Sequence, residues 1–177
     1  STTYYFKIWA IDDFGNEQTV ADINTTTLSA GQINVPSGGG TVSVTNTQTE
    51  VVFSSVTDPA VINIPASVNN ATLNLDSLVD NITGIGTLPS IVINSLTSVG
   101  NVVIEIPAGT NIDAGGAWNG IMNAPQVQSN NSVNPGSNTS VEAVLEIGFG
   151  NTALAFDQAV RIKFIGQAGK RVGYSRN

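Results

Sequence analysis

The sequence predicts an all-β fold, an antiparallel β-sandwich, and three observations carry that expectation. Runs rich in Val, Ile and Thr alternate apolar and polar residues with period two, and Gly, Pro, Asn or Asp stands between them. Apolar residues at helical spacing are scarce. The composition is 41% hydrophobic but only 11% charged, with the polar remainder supplied by Asn, Thr, Ser and Gly. Neither a helical bundle nor a charge-driven disordered chain has that balance.

Taken in order, strands are expected at 4–11, 21–28, 31–35, 41–44, 50–53, 60–64, 71–75, 90–93, 101–106, 140–149, 159–165 and 171–174. In the first, Tyr4, Phe6 and Ile8 fall on one face and Tyr5, Trp9 and Ile11 on the other, so both faces need cover. Three related stretches, "INVP" from Ile33, "INIP" from Ile62 and "IEIP" from Ile104, place two apolar residues on one face and end in a proline that stops ladder pairing. Their unequal spacing favours strand ends of shared chemistry over a strict solenoid, which needs a fixed period. A partly solenoid-like arrangement is the alternative.

The segment "LDSLVDNITGIG" offers Asp76 as the cap of a short helical turn that Gly84 and Gly86 end. Trp118, Ile121 and Met122 lie among glycines and asparagines as apolar anchors. Trp118 is read as a plug at one end of the core, with a ligand platform as the other reading. Residues 126–140, polar and broken by Pro135 and Gly136, are expected to form a long exposed loop.

Composition also narrows function. The 177 residues carry Lys+Arg 6 against Asp+Glu 13, a formal net charge of -7. Phosphate backbones and anionic membranes are therefore poor partners. Cys and His are absent, which removes thiolate nucleophiles, disulfides, imidazole bases and the commonest soft-metal ligands. No apolar run is long enough to span a membrane as a helix and no basic-plus-apolar leader is visible. With Ser1 as the first residue, upstream processing or excerpting is expected.

The opening stretch "STTYYFKIWAIDDFGNEQ" resembles the F strand of a bacterial fibronectin type III domain, through Tyr4, Phe6, Lys7, Ile8, Ala10 and Asp12. "DFGNEQ" is similar to that family's F to G turn, and "ADINTTTL" to its closing G strand. The resemblance covers residues 1–28 and implies a partial fibronectin type III hairpin ahead of a sandwich domain at 29–177 of immunoglobulin or fibronectin type. It also implies that strands A to E lie elsewhere. The remainder, notably "LAFDQAVRIKFIGQAGKRVGYSRN", is loosely similar to closing segments of bacterial cell-surface β-modules and suggests a domain truncated at its C-terminal end.

Candidate sites are few. Asp12, Asp13, Asn16 and Glu17 supply oxygen ligands suited to Ca2+, but the same residues make an ordinary turn whose side chains bond their own backbone. "PSGGGT" at 36–41 lacks the Gly-Lys-Ser/Thr of a phosphate loop and reads as a connection. Lys163 and Lys7 are the places for an isopeptide cross-link, against the simpler reading of edge-guarding lysines. Asn-x-Ser/Thr triplets begin at Asn24, Asn70, Asn81, Asn130 and Asn138. No catalytic, cofactor-binding or metal-ligating set emerges, and an enzyme is not expected.

The leading expectation is an extracellular or cell-surface structural protein, a filament subunit assembling by β-strand complementation. Tyr4, Phe6, Ile8 and Trp9 are the candidate docking residues. The receiving sheet is the body of the chain, absent upstream strands, or a neighbouring copy. A carbohydrate- or ligand-binding adhesin module, with surface glycans as partners and Trp118 and the 126–140 loop at the contact, is the alternative.

Overall fold

Alternate residues of Ala60–Ile64 are buried, namely Ala60, Ile62 and Ile64, while Val61 and Asn63 between them stay half-buried. This two-residue rhythm repeats along much of the chain and builds its strands. The computed structural model describes residues 2–11, 17–27, 31–130, 140–148 and 152–173, with side chains described from Gly31 onward.

A hairpin of β1 (Thr2–Ile11) and β2 (Glu17–Thr27) comes first, and its two strands form a sheet of their own. The body begins with β3 (Gln32–Val35), β4 (Gly40–Ser43), β5 (Glu50–Phe53), β6 (Ala60–Ile64) and β7 (Thr72–Asn74). A 3-10 turn at Asp76–Leu78 leads to β8 (Ile85–Leu88), β9 (Ile91–Thr97) and β10 (Gly100–Ile106). The chain continues through β11 (Thr110–Asp113), β12 (Ile121–Gln128), β13 (Val144–Gly148), β14 (Ala155–Phe156) and β15 (Arg161–Phe164).

These strands stack as coils. β3, β5 and β7 pair in parallel in one sheet, and β4, β6 and β9 pair in parallel in another. Each strand of one sheet thus serves as the crossover that parallel pairing in the other requires. After β9 a tight hairpin reverses the chain, held by Thr97 Oγ1, which donates to the Gly100 carbonyl at 2.7 Å. The chain then retraces its path, with β10 antiparallel on β9, β11 on β8 and β12 on β7. A second reversal lays β13 on β12, β14 on β11 and β15 on β10.

The all-β, sandwich-like expectation holds, with two five-stranded sheets and a three-stranded one sharing a single core. The sheets are mixed rather than wholly antiparallel. Period-two patterning reports which residues are buried and says nothing of the direction of the neighbouring strand, so parallel coils and hairpins look alike in sequence. Residues 32–95 stack in the manner of the solenoid-like alternative, and the unequal spacing that argued against it is absorbed in the turns.

One row of side chains runs through an entire sheet. Val42, Ile62, Ile93, Ile104 and Ile162 are successive cross-strand partners. Ile62 and Ile93 are 0% exposed and Ile104 1%, whereas Ile162 on the last strand is 42% exposed. Ile33, Val51, Leu73 and Met122 make the corresponding row of the other sheet. The prolines of the three related stretches follow β3, β6 and β10 directly, and Ile62 and Ile104 flank Ile93 on the same row.

Strands β8, β11, β12 and β14 were not among those expected. β12 carries Pro125 at a shift of register between Asn123 and Gln126, a bulge where proline is tolerated, so its strand signal is broken. It also takes up the start of the loop expected at 126–140, of which 131–139 fall outside the described residues. Asp76 begins the 3-10 turn but its side chain makes no cap bond, and the turn ends at Leu78, before either glycine. Residues 171–173 form no strand.

The position of a residue along the aliphatic row should decide its weight in folding. Ile93→Ala is expected to cost about 2–5 kcal/mol. Ile162→Ala, already 42% exposed, should cost at most about 1.5 kcal/mol. Urea unfolding midpoints of the two variants check the order.

Candidate functional site

The body's polar residues are organised across coils as its core residues are. Asn94 Nδ2 donates to Asn63 Oδ1 at 3.0 Å on one sheet, and Asn74 Nδ2 donates to Glu50 Oε1 at 2.7 Å on the other. On the third, Thr87 Oγ1 donates to Asn111 Oδ1 at 2.7 Å, and Asn111 gives both its backbone N–H and its Nδ2 to the two oxygens of Asp157, each at 2.7 Å. Stacked strands bring equivalent side chains together, so an Asn- and Thr-rich sequence becomes cross-strand ladders.

The "PSGGGT" stretch is a turn sealed onto the next coil. Gly40 N–H donates to the Pro59 carbonyl at 2.9 Å, and a Cβ on Gly39, whose φ is +73°, would meet that carbonyl oxygen at 2.4 Å. Its backbone is committed to packing.

Two surface features remain. The first is a shallow groove of about 360 Å³ where Ser43, Asn63, Asn94 and Asn101 present hydroxyl and amide groups beside Pro65 and Leu96. The second is the end of the coil stack. There β15 is the outermost strand of its sheet, and alternation in an antiparallel pair turns the N–H and C=O groups of Ile162 and Phe164 away from β10. The segment after β15 bends back, Gln167 Nε2 donating to the Val99 carbonyl at 2.9 Å, instead of adding a strand.

This edge is basic. No Lys or Arg occurs between Lys7 and Arg161, whereas Arg161, Lys163, Lys170 and Arg171 follow within thirteen residues (161–173) that contain no acid. Lys163 and Arg161 both pair with Glu105 on β10, and Lys170 pairs with Glu142. The Glu105 carboxyl is held below its ordinary value, chiefly by the hydrogen bond from Lys163, against a smaller opposing effect of desolvation. Asp80 is likewise lowered, first by the backbone N–H of Thr83 and then by that of Ile82, in the turn before β8.

The predicted sites are scattered. Trp118 is buried, 6% exposed, within the core cluster, which corrects the contact role given to it in the adhesin alternative. Tyr4, Phe6, Ile8 and Trp9 lie on β1, where the register sets Tyr4 opposite Thr25, Phe6 opposite Ile23, Ile8 opposite Ala21 and Trp9 opposite Thr19. Residues 12–16, the proposed oxygen-ligand turn, lie outside the described residues. Lys163 sits on an edge strand with its side chain 42% exposed and Glu105 as its partner, the placement of an edge-guarding lysine. Asn70, Asn81 and Asn130 are exposed, and Asn130 Nδ2 donates to the Val141 carbonyl at 3.0 Å. Among the described residues no three carboxylates converge as a metal site.

Sequence reasoning missed the groove, because its residues come from β4, β6, β9 and β10 and adjoin only after stacking. The basic edge had a signal, the clustering of five of the six basic residues after position 160. No protein-family model matches the chain, and no characterised protein or solved structure matches it either.

Replacing Lys163 should show its hold on Glu105. A carboxyl with a lowered folded-state pKa contributes stability above its ordinary value, 4.5 for Glu105, and loses that contribution as pH falls through the folded value. In Lys163→Gln the Glu105 titration should move up toward 4.5, part of the way because Arg161 remains. Carboxyl-carbon NMR titration reads the shift.

Proposed function

We propose that this chain is an extracellular or cell-surface structural protein, the subunit of a homopolymer joined by β-strand complementation with the β1–β2 hairpin as donor. The observation that carries the reading is the hairpin's isolation in pairing. Its strands bond each other over ten register positions, and no described strand of the body extends their sheet. Isolated two-stranded hairpins are marginal in water, so a hairpin carrying Tyr4, Phe6, Ile8 and Trp9 gains most from a sheet that receives it.

The body suits a structural role. Its coils are tied by polar ladders and its core is continuous. The resemblance of residues 1–28 to a bacterial fibronectin type III hairpin agrees with an exported protein.

A second reading, an adhesin module that binds glycans, is supported by the groove. Its amides and hydroxyl beside Leu96 and Pro65 match the mixed polar and apolar faces of a sugar.

Negative-stain electron microscopy of the native chain is expected to show filaments, and Phe6→Ser with Ile8→Ser should abolish them while the far-UV spectrum persists. A chain that stays monomeric, and binds a glycan that Asn94→Ala releases, would favour the second reading.

A further inference from the structure

The coil stack supplies the hairpin with a partner of opposite charge and an unfinished apolar row. Residues 2–27 carry one basic residue, Lys7, against Asp12, Asp13, Glu17 and Asp22, a net charge of -3. Residues 161–173 carry Arg161, Lys163, Lys170 and Arg171 and no acid, a charge of +4, and counting their partners Glu105 and Glu142 still leaves +2. No other stretch of the body is basic.

The same strand is where the aliphatic row stops without cover. Ile62, Ile93 and Ile104 are closed off from water on both sides, while Ile162 at the row's end is 42% exposed and Phe164 beside it is only half-buried. The far end differs, because Val42 on edge strand β4 is only 8% exposed and residues 31–49 bear no charge. Among the described residues β15 and β4 are the two edges of this sheet, and of these β15 has both an exposed apolar residue and a charge to recruit an acidic strand.

We infer that β15 is the receiving edge for the β1–β2 hairpin of a second copy of this chain. The inference rests on the complementation reading above and specifies where the donor lands. In the assembly the hairpin pairs with the outward N–H and C=O groups of Ile162 and Phe164. There the apolar-rich hairpin adjoins Ile162, and its net negative charge complements Arg161, Lys163, Lys170 and Arg171. Donor and acceptor are different surfaces, so the contact is heterologous and propagates.

Hydrogen exchange of the native chain across a concentration series tests this directly, with light scattering on the same samples. As assembly sets in, the amides of Ile162 and Phe164 should slow about tenfold or more while those of Gly40–Ser43 keep their monomer rates, and raising salt should reverse both scattering and protection. Assembly with protection at β4 instead, or with neither edge protected, overturns the assignment to β15 and leaves the homopolymer reading standing. A chain that never assembles overturns both. Ile162→Lys, at a site whose side chain is already partly in water, gives an independent arm. Its scattering should fall while its own thermal transition stays within a few degrees, and unchanged assembly would refute the role of β15.

Discussion

Everything in the body depends on one register being kept across five strands. Val42, Ile62, Ile93, Ile104 and Ile162 share a row because each strand meets its neighbour without slipping. A shift of one residue would send Asn63, Asn94 or Glu105 inward and an isoleucine out, exchanging a burial worth about 1.5–3 kcal/mol for the cost of desolvating a polar group. The direction of a strand matters far less. Side chains alternate in the same way whichever way the chain runs, so the change from parallel coils to antiparallel ones at β9 and β10 leaves the row intact.

The polar ladders follow from that register and help enforce it. Asn63 meets Asn94 only in the pairing that also aligns the isoleucines, and on the three-stranded sheet Asn111 meets Thr87 only in the register that sets Ile112 opposite Gly86. Each neutral bond contributes about 0.5–1.5 kcal/mol net. Its greater use is selectivity, since the slipped pairings leave these amides facing aliphatic partners. A surface built from such ladders needs few charges, which accounts for Asn, Thr and Ser outnumbering Lys and Glu. It also explains why the glycine turns are tight: Gly120, with φ +71°, has the Asp76 N–H where a Cβ would lie, at 2.5 Å, so the coils have no room to slide.

Much of this was legible in the residues themselves. The alternation of "AVINIP" and "NVVIEIP" located β6 and β10 and their inward residues correctly, because burial on one face leaves a period-two trace. The partners of those strands were not legible, because the trace is the same for a hairpin neighbour and for a coil one turn away. β12 escaped notice for a local reason: Pro125 and the surrounding asparagines look like loop, and only the bulge at that point makes them compatible with a strand. Trp118 was correctly read as a core plug, since a large aromatic among glycines has little else to pack on. The groove had no linear signature, and the basic edge was visible as a run of charge whose meaning depended on knowing that its strand closes a sheet.

The charges on β15 set which partners that edge can take. An uncovered strand end pairs indiscriminately unless something makes most pairings unfavourable, and Lys on an edge is a common device for this. Two copies joined β15 to β15 in antiparallel fashion would bring Arg161 and Lys163 against Lys163 and Arg161, with like charges opposed across the new ladder. Glu105 softens this repulsion but cannot cancel it, since one carboxylate already serves both cations. A closed twofold dimer through this edge is therefore disfavoured by the same side chains that, in the proposed assembly, face the acidic hairpin. In the proposed assembly, exposed Ile162 supplies the contact and the cations supply the direction, which makes growth by that route polar for an electrostatic reason as much as a geometric one.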